Sequence, residues 1–451
     1  MHKKRIILCT FAASKKLPMT FDDLRSKFPV FTYEGYHYQV EDNRLHIEFH
    51  FHIGDTITFN PKMTLCPGIY SQWPQDIQEL EGIIFNIGMI ELISYWKCTC
   101  SPIIHIKPCR LNDEQQLWWA KLYWKGLGEF SYKNNIHIDF QDFINFSFSD
   151  NADNYTNFCF PKTNPSERII VPIGGGKDSV VTLEELRTQR NIVPFIINPR
   201  GATLDCARMA GFDKEEQIII LHREIDPKLI ELNKEGYLNG HTPFSAMLAF
   251  YSTLLSAVTG IRDIALSNES SANEPTIPGT YINHQYSKSL EFEIDFRSYV
   301  DEYMNSCNHY FSYLRQHTEL QIAEKFATYP QYFKIFKSCN AGSKENKWCC
   351  NCPKCLFAYI ILSPFIDDKT MIDIFGEDLL NKKELQQYFD ELSGISKYKP
   401  FECVGTIREV NEALRRICDS RQDKYLIKHY INEQLAQIEN TMYDEYLNMT
   451  P

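Results

Sequence analysis

Three consecutive glycines separate a predicted buried strand from a predicted helix, and this junction constrains the fold more than any other part of the sequence. The apolar run Ile169–Ile173 leads into Gly174–Gly176, and Lys177–Ser179 then opens a segment with leucines at helical spacing. Glycine has no Cβ, so the backbone amides of such a turn can approach an anion, and the helix N-terminus adds N–H groups and a positive dipole. The sequence therefore predicts a phosphate-binding loop in an α/β sheet.

Two familiar phosphate loops do not fit this segment. A Walker A loop has Ser or Thr where Asp178 stands, and the dinucleotide fingerprint has its third glycine where Ser179 stands. The segment resembles instead the Ser-Gly-Gly-x-Asp-Ser loop of the PP-loop ATP pyrophosphatases, which cleave ATP to AMP and pyrophosphate while adenylylating a substrate oxygen. Gly174 takes the place of the first serine of that loop.

This resemblance implies that the loop binds ATP and that Asp178 helps to position Mg²⁺. Lys177 either neutralises phosphate charge or lies on the surface. Asn198 follows the second predicted strand, where open α/β sheets bind ligands, so it is expected near the adenosine. The residues expected to bind the nucleotide are Gly174, Gly175, Gly176, Lys177, Asp178, Ser179 and Asn198.

Around the loop, short apolar runs alternate with helical patterns. This alternation predicts a parallel sheet with helices on both faces. The fold class is therefore α/β, with a parallel-sheet PP-loop domain of the adenine nucleotide alpha hydrolase-like (HUP) type. The expected strands are Glu167–Ile173, Ile192–Asn198, Gln217–His222 and Asp263–Ser267, and the expected helices are Ser179–Arg190, Ala202–Ala210 and Pro243–Val258.

The pattern before the loop is different. Apolar and polar residues alternate over Leu45–Ile53, and with Phe31–Val40 and Thr56–Phe59 this predicts an antiparallel meander. Helical spacing follows over Leu80–Trp96 and Asp113–Lys125. We predict an N-terminal α+β accessory domain (1–160), a PP-loop domain that includes a cysteine cluster (165–366) and a helical C-terminal region (367–451).

The cysteine cluster is a candidate metal site formed by Cys339, Cys349, Cys352 and Cys355. Two-residue gaps let consecutive thiolates converge on one ion, and four sulfurs complete a closed structural Zn²⁺ site. A metal-free reduced cluster and an iron–sulfur cluster are the alternatives, and Cys350 could replace a neighbour. A similar arrangement occurs in 7-cyano-7-deazaguanine synthase, which is itself a PP-loop enzyme.

Further strings extend the resemblance to one family. They are Pro172–Ser179, Leu238–Pro243, Ser267–Glu269, Asn283–Ser289, Trp348–Cys355 and Lys399–Cys403, with Tyr33–Tyr36 and Ser94–Lys97 near the N-terminus. Together they resemble the UDP-N-acetylmuramoyl-L-alanyl-L-glutamate epimerases over most of the chain. Enzymes of that family convert the terminal L-glutamate of a UDP-muramoyl dipeptide to D-glutamate in cell-wall precursor synthesis and consume ATP.

The resemblance implies a chemistry for which a PP-loop is useful. A free carboxylate makes the neighbouring Cα–H a very weak acid, whereas a neutral acyl-adenylate can delocalise the carbanion as an enolate. Inversion then requires a base and an acid on opposite faces of Cα. The candidates in the family-like strings are His241, Glu269, His284 and Lys288, each of which could instead cap a segment or position the substrate.

Three other functions compete with the epimerase. A 7-cyano-7-deazaguanine synthase-like ligase would share the loop and the cysteines, but it does not explain the N-terminal region or Asn283–Ser289. A tRNA sulfurtransferase needs a basic face, and 47 Lys and Arg against 58 Asp and Glu give a net charge of −11. A non-catalytic nucleotide-sensing module would bind ATP without turnover.

We expect the protein in the cytoplasm, with a small-molecule substrate and without nucleic acid or membrane partners. No apolar run reaches the roughly 18 residues of a membrane helix. The basic start Met1–Cys9 is followed by too short an apolar stretch for a signal peptide, and the 15 scattered cysteines fit reduced thiols. The oligomeric state cannot be deduced from these patterns.

Overall fold

A computed structural model describes residues 19–435. The predictions for Met1–Cys9 and for the end of the helical C-terminal region lie outside this range. Within it, no helix combines the length and the apolar character that crossing a bilayer requires.

Strands and helices occur throughout the described range. The strands are β1 (Val30–Glu41), β2 (Arg44–Ile53), β3 (Ile57–Phe59), β4 (Lys62–Cys66), β5 (Ile103–Ile106), β6 (Cys109–Arg110), β7 (Asn145–Phe148), β8 (Asp153–Asn154), β9 (Arg168–Pro172), β10 (Asn191–Ile197), β11 (Ile219–Glu224), β12 (Asp263–Leu266) and β13 (His309–Ser312).

The helices pack on both faces of the sheet and fill the C-terminal region. They are α1 (Phe21–Lys27), α2 (Glu81–Trp96), α3 (Asp113–Gly126), α4 (Gly128–Lys133), α5 (Phe140–Phe143), α6 (Lys177–Leu186), α7 (Gly201–Met209), α8 (Pro227–Lys234), α9 (Phe244–Thr259), α10 (Leu290–Tyr303), α11 (Glu319–Ala327), α12 (Pro353–Leu362), α13 (Asp368–Phe375), α14 (Gln386–Ser393) and α15 (Ile407–Ile417).

The second half of the sheet is parallel, in the order β13-β12-β9-β10-β11. The chain runs from β9 outward through β10 to β11 and then returns to place β12 on the other side of β9. Open α/β sheets bind ligands at such a change of direction, beyond the carboxyl ends of the strands. The glycine loop follows β9 and therefore lies at this point.

The first half of the sheet continues from β11 without a break. Leu65 of β4 lies opposite Leu221 of β11 in an antiparallel pair, and β2, β1, β5 and β7 follow in that order. The expected meander and the four expected parallel strands are confirmed, as is an α/β fold with a large, mostly parallel sheet. The assignment to the PP-loop type and the division into domains remain predictions.

A buried ion pair joins helix α2 to the end of β11. Glu91 accepts two hydrogen bonds from the Arg223 guanidinium, at 2.7 Å from Nε and 2.8 Å from Nη2, and Tyr251 Oη donates to the same carboxylate. The Glu91 side chain is 2% exposed and the Arg223 side chain 11%. A charge buried this deeply is costly unless it is paired, so the pair fixes helix α2 against the end of β11.

We predict that Glu91→Ala lowers the free energy of unfolding by about 3–5 kcal/mol, because the Arg223 charge is then left buried without its partner. The matched control is Glu48→Ala, which removes a solvent-accessible pair with Lys62 at 3.0 Å and should cost no more than about 1 kcal/mol. Urea denaturation followed by circular dichroism measures both values. Equal small losses would contradict a structural role for the buried pair.

Candidate active site

One cavity of about 660 Å³ opens at the carboxyl ends of β9, β10 and β12. Its wall contains the glycine loop and charged side chains that come from widely separated parts of the chain. The polar and charged residues that line it include Lys177, Asp178, Ser179, Asn198, Arg200, Glu269, Lys288, Glu319, Lys354 and Cys403.

The glycine loop packs tightly on the start of α7. Gly175 has φ +79°, and a Cβ at this position would lie 3.0 Å from the backbone of Ala202 and of Thr203. Gly176 is the N-cap of α6, whose first turn has no side-chain cap. Gly174, by contrast, faces open space, with nothing within 4 Å of an added Cβ. The loop thus leaves the N-terminus of α6 free to receive an anion at the cavity.

Lys177 is buried at the base of the loop and does not lie on the surface. Its Nζ donates to Asp178 and to Glu319, which is itself 3% exposed. Burial opposes the charge of the ammonium group, but the two carboxylates more than compensate and raise the pKa of Lys177. Burial likewise raises the pKa of Glu319, and the lysine only partly offsets this. Lys177 is therefore a fixed positive charge beside the loop.

Two other residues expected at the nucleotide are already engaged. Ser179 Oγ donates to the Gly176 carbonyl at 2.9 Å. Both side-chain atoms of Asn198 bond the backbone of Arg223, at 2.8 and 3.0 Å, which ties the ends of β10 and β11 together. Both residues line the cavity, and their contact with a nucleotide remains a prediction.

Glu269 and Lys288 lie in the same cavity as the loop. Glu269 is 2% exposed, and its Oε2 has no hydrogen-bond partner among the described residues. Cys403, Glu269 and other nearby anions raise the pKa of Lys288 although burial opposes its charge. Arg315 fixes the backbone beneath both residues, because it donates to the carbonyls of Glu269 (2.9 Å) and Lys288 (2.6 Å).

His241 and His284 form a second group around Glu129. Their rings lie 4.5 Å apart, and His284 Nδ1 is hydrogen-bonded to the Glu129 carboxylate, which is 4% exposed. Burial and the neighbouring His284 charge lower the pKa of His241 to about 3. Burial also opposes a charge on His284, but Cys403 and Glu129 raise the pKa of His284 to about 9. His241 is therefore neutral and His284 is charged.

Cys403 connects the two groups. It lies within hydrogen-bonding reach of His284 and also lines the cavity. Burial disfavours its thiolate, but Lys288, His284 and Lys354 lower the pKa of Cys403 to about 6. Sequence reasoning included Cys403 only within a family-like string, and it did not single out Glu129 or Glu319.

The four predicted cysteines converge and could hold a metal ion. Cys355 Sγ lies 3.7 Å from Cys349 Sγ and 3.5 Å from Cys352 Sγ, and all four sulfurs of the cluster lie within 4.8 Å of one another. A tetrahedral ion with metal–sulfur distances of about 2.3 Å places its sulfurs about 3.8 Å apart. Cys350 is not one of this set, since its thiol donates to the Phe375 carbonyl.

This cluster supports one wall of the cavity. The segment before Cys339 packs on the glycine loop, where the Lys337 backbone N–H donates to the Gly175 carbonyl at 2.8 Å. The residue after Cys352 begins helix α12, which supplies Lys354 to the cavity. A metal ion bound by the cysteines would therefore hold these two segments in place.

Comparison with known protein families identifies the family of this chain. Residues 22–313 match the family model of the MurL N-terminal domain, and residues 335–445 match that of the MurL C-terminal domain. The chain belongs to the MurL family. MurL-family relatives named UDP-N-acetyl-alpha-D-muramoyl-L-alanyl-L-glutamate epimerase occur in several bacteria, and the chain is accordingly an enzyme of the epimerase class.

Three of these relatives have similar degrees of identity. The protein of Salinispora tropica is 34% identical over 75% of this chain and 73% of its own length. That of Micromonospora sp. is 33% identical over 77% of both chains, and that of Xanthomonas oryzae pv. oryzae is 32% identical over 78% of both. The resemblance inferred from the sequence motifs is confirmed at the level of the MurL family.

We predict that the purified protein carries one metal ion per chain and that Cys352→Ser removes it, because three sulfurs do not complete a closed tetrahedral site. Elemental analysis by mass spectrometry measures the metal content. Cys350→Ala and the exposed Cys159→Ser are the controls and should both retain the ion. Full metal content in Cys352→Ser would show that the ion is bound elsewhere.

Proposed function

We propose that this MurL-family chain converts the terminal L-glutamate of UDP-N-acetylmuramoyl-L-alanyl-L-glutamate to D-glutamate in peptidoglycan precursor synthesis, with ATP cleaved to AMP and pyrophosphate. The observation that carries the proposal is that a glycine loop before a free helix N-terminus shares one cavity with several buried acid and base groups. The names of the relatives support the substrate.

The role of ATP follows from the acidity of the substrate. Removing the Cα proton beside a free carboxylate would place a second negative charge next to the first. Adenylylation of that carboxylate makes the carbonyl neutral, so the electron pair left at Cα can be delocalised onto the carbonyl oxygen. Protonation on the opposite face and hydrolysis then release the D-epimer and AMP.

The glycine loop is suited to the phosphates of ATP. Gly175 and Gly176 present backbone rather than side chains, and the α6 N-terminus supplies N–H donors and positive potential. Lys177 is held as a cation at the base of the loop and favours the leaving pyrophosphate. Asp178 has a half-buried carboxylate at the cavity and can hold Mg²⁺, which would neutralise phosphate charge when bound.

The cysteine cluster and the location of the protein complete the proposal. The four cysteines are proposed to bind Zn²⁺ in a structural role, because a set of four thiolates leaves no open position for chemistry. A nucleotide-activated substrate and the use of ATP support the cytoplasm as the location. The naming of the relatives as epimerases favours this function over a deazapurine ligase and over a sensing module.

We predict that Gly175→Ala weakens ATP binding about 5- to 150-fold, because it forces a side chain into a left-handed conformation and against the start of α7, at a cost of about 1–3 kcal/mol. Isothermal titration calorimetry with ATP and Mg²⁺ measures the affinity. Gly174→Ala is the matched control and should lose far less, since its Cβ meets nothing within 4 Å. Similar losses in both variants would argue against the tight packing of the loop as the cause.

We also predict that the purified enzyme forms AMP and pyrophosphate only when the UDP-muramoyl dipeptide is present, together with D-glutamate in the product. Asp178→Asn should slow AMP formation at least about 100-fold through the loss of Mg²⁺ positioning. Quenched reactions analysed by chromatography, with chiral analysis of the released glutamate, measure both. Epimerisation without AMP would contradict the role of ATP, and AMP formed only with a carboxylated deazaguanine would contradict the substrate.

A further inference from the structure

A line of three side chains runs from the protein interior to the cavity. Glu129, on α4, bonds His284 through Nδ1, and His284 is also within hydrogen-bonding reach of Cys403. Cys403 in turn lines the cavity that holds the glycine loop and Lys288. A carboxylate that orients an imidazole, which in turn faces a thiol, is the arrangement that enzymes use to stabilise a thiolate.

Groups from several elements face the thiol, and they are mostly cationic. Lys288, His284 and Lys354 favour the thiolate, and their effect outweighs the cost of burial. Burial raises the pKa of the nearby Glu402 carboxyl. Cys403 is therefore surrounded by groups that favour its ionised form near neutral pH.

The histidine is held as the matching cation. Glu129 bonds His284 with one oxygen, while its other oxygen accepts from Lys133 Nζ. His241 lies against the same carboxylate but is neutral, so it does not compete for the negative charge. The Glu129 carboxylate stays ionised, since His284 lowers its pKa to about 2 although burial opposes the charge.

Glu129, His241 and His284 could also be considered as ligands of a metal ion, because their donor atoms lie within 4.8 Å of one another. Two observations disfavour this. The Lys133 ammonium already occupies one oxygen of Glu129, and the charges of Lys97 and Lys133 act on His241. A divalent ion would have to displace or oppose both lysines. A proton-transfer role agrees better with this surplus of positive charge.

We propose that Cys403 is one of the two groups that exchange a proton with the substrate Cα, and that His284 and Glu129 are its positioning residues. This inference rests on the proposed epimerase function and names a residue that carries it out. Lys288 stabilises the thiolate by its charge and does not itself transfer the proton.

Cys403 and a second acid each exchange one proton with the substrate Cα. The Cys403 thiolate takes the Cα proton of the adenylylated glutamate and becomes a thiol, while the C–H electron pair moves onto the carbonyl oxygen as an enolate. A second protonated acid of the site gives a proton to the opposite face of Cα and loses its own. After hydrolysis of the adenylate, the thiol returns its proton through solvent to that second group.

The first test follows solvent deuterium in Cys403→Ser, whose hydroxyl is close to the thiol in size but a much weaker acid. In D₂O the unmodified enzyme should introduce deuterium at Cα from either epimer. The variant should still form pyrophosphate within about threefold of the normal rate, but lose net epimerisation at least about 100-fold and exchange deuterium with only one epimer. The exposed Cys159→Ser is the control.

Three outcomes of this test would overturn the proposal. They are exchange with both epimers in Cys403→Ser, loss of pyrophosphate formation in parallel with exchange, and an acyl group found on Cys403 after an acid quench. Absence of AMP with the unmodified enzyme would instead overturn the proposed function, so the two failures are distinguishable.

The second test is independent of turnover. The rate of alkylation of Cys403 by iodoacetamide, followed by peptide mass spectrometry, should rise with a midpoint near pH 6, where the thiolate forms. Glu129→Gln should move the midpoint upward by about one unit, because His284 loses the carboxylate that keeps it charged. A midpoint near that of an ordinary thiol in the unmodified protein, or no shift in Glu129→Gln, would overturn the assignment.

Discussion

Three buried pairs of oppositely charged side chains hold the structure together. Glu91 with Arg223 joins helix α2 to β11, Lys177 with Glu319 fixes the start of α6 after the glycine loop, and Glu129 with His284 forms a group next to Cys403. An unpaired buried charge destabilises the folded state, so each of these side chains must stay close to its partner. The pairs come from segments far apart in the chain, and the shape of the cavity is therefore tied to the fold as a whole.

The cavity combines two kinds of chemistry at the point where the parallel sheet changes direction. The loop after β9 provides backbone amides for an anion, and the neighbouring segments provide an ordered set of charged side chains. The cysteine cluster contributes indirectly, since it holds the segment that packs on Gly175 and the start of α12. The proposed activation of a carboxylate and the proposed proton transfer beside it would therefore share one cavity.

The parallel part of the fold could be predicted because its strands and helices differ in period and the glycine loop marks their junction. Strand β13 had no predicted counterpart, since its four residues carry only a short and partly polar pattern. The pairing of β4 with β11 joins segments more than 150 residues apart, and no local sequence pattern predicts such a pairing. Glu129 and Cys403 were not singled out for the same reason, because their significance comes only from a shared neighbour, His284.

In the proposed reaction, ATP activates the substrate carboxylate as an adenylate before the proton is moved. The most direct measurement uses a substrate whose terminal α-carboxylate carries ¹⁸O at both oxygens and follows the label into AMP by mass spectrometry. If the adenylate forms and water attacks its carbonyl carbon, one ¹⁸O atom should appear in each AMP released with D-epimer. Formation of the D-epimer together with unlabelled AMP would contradict the account.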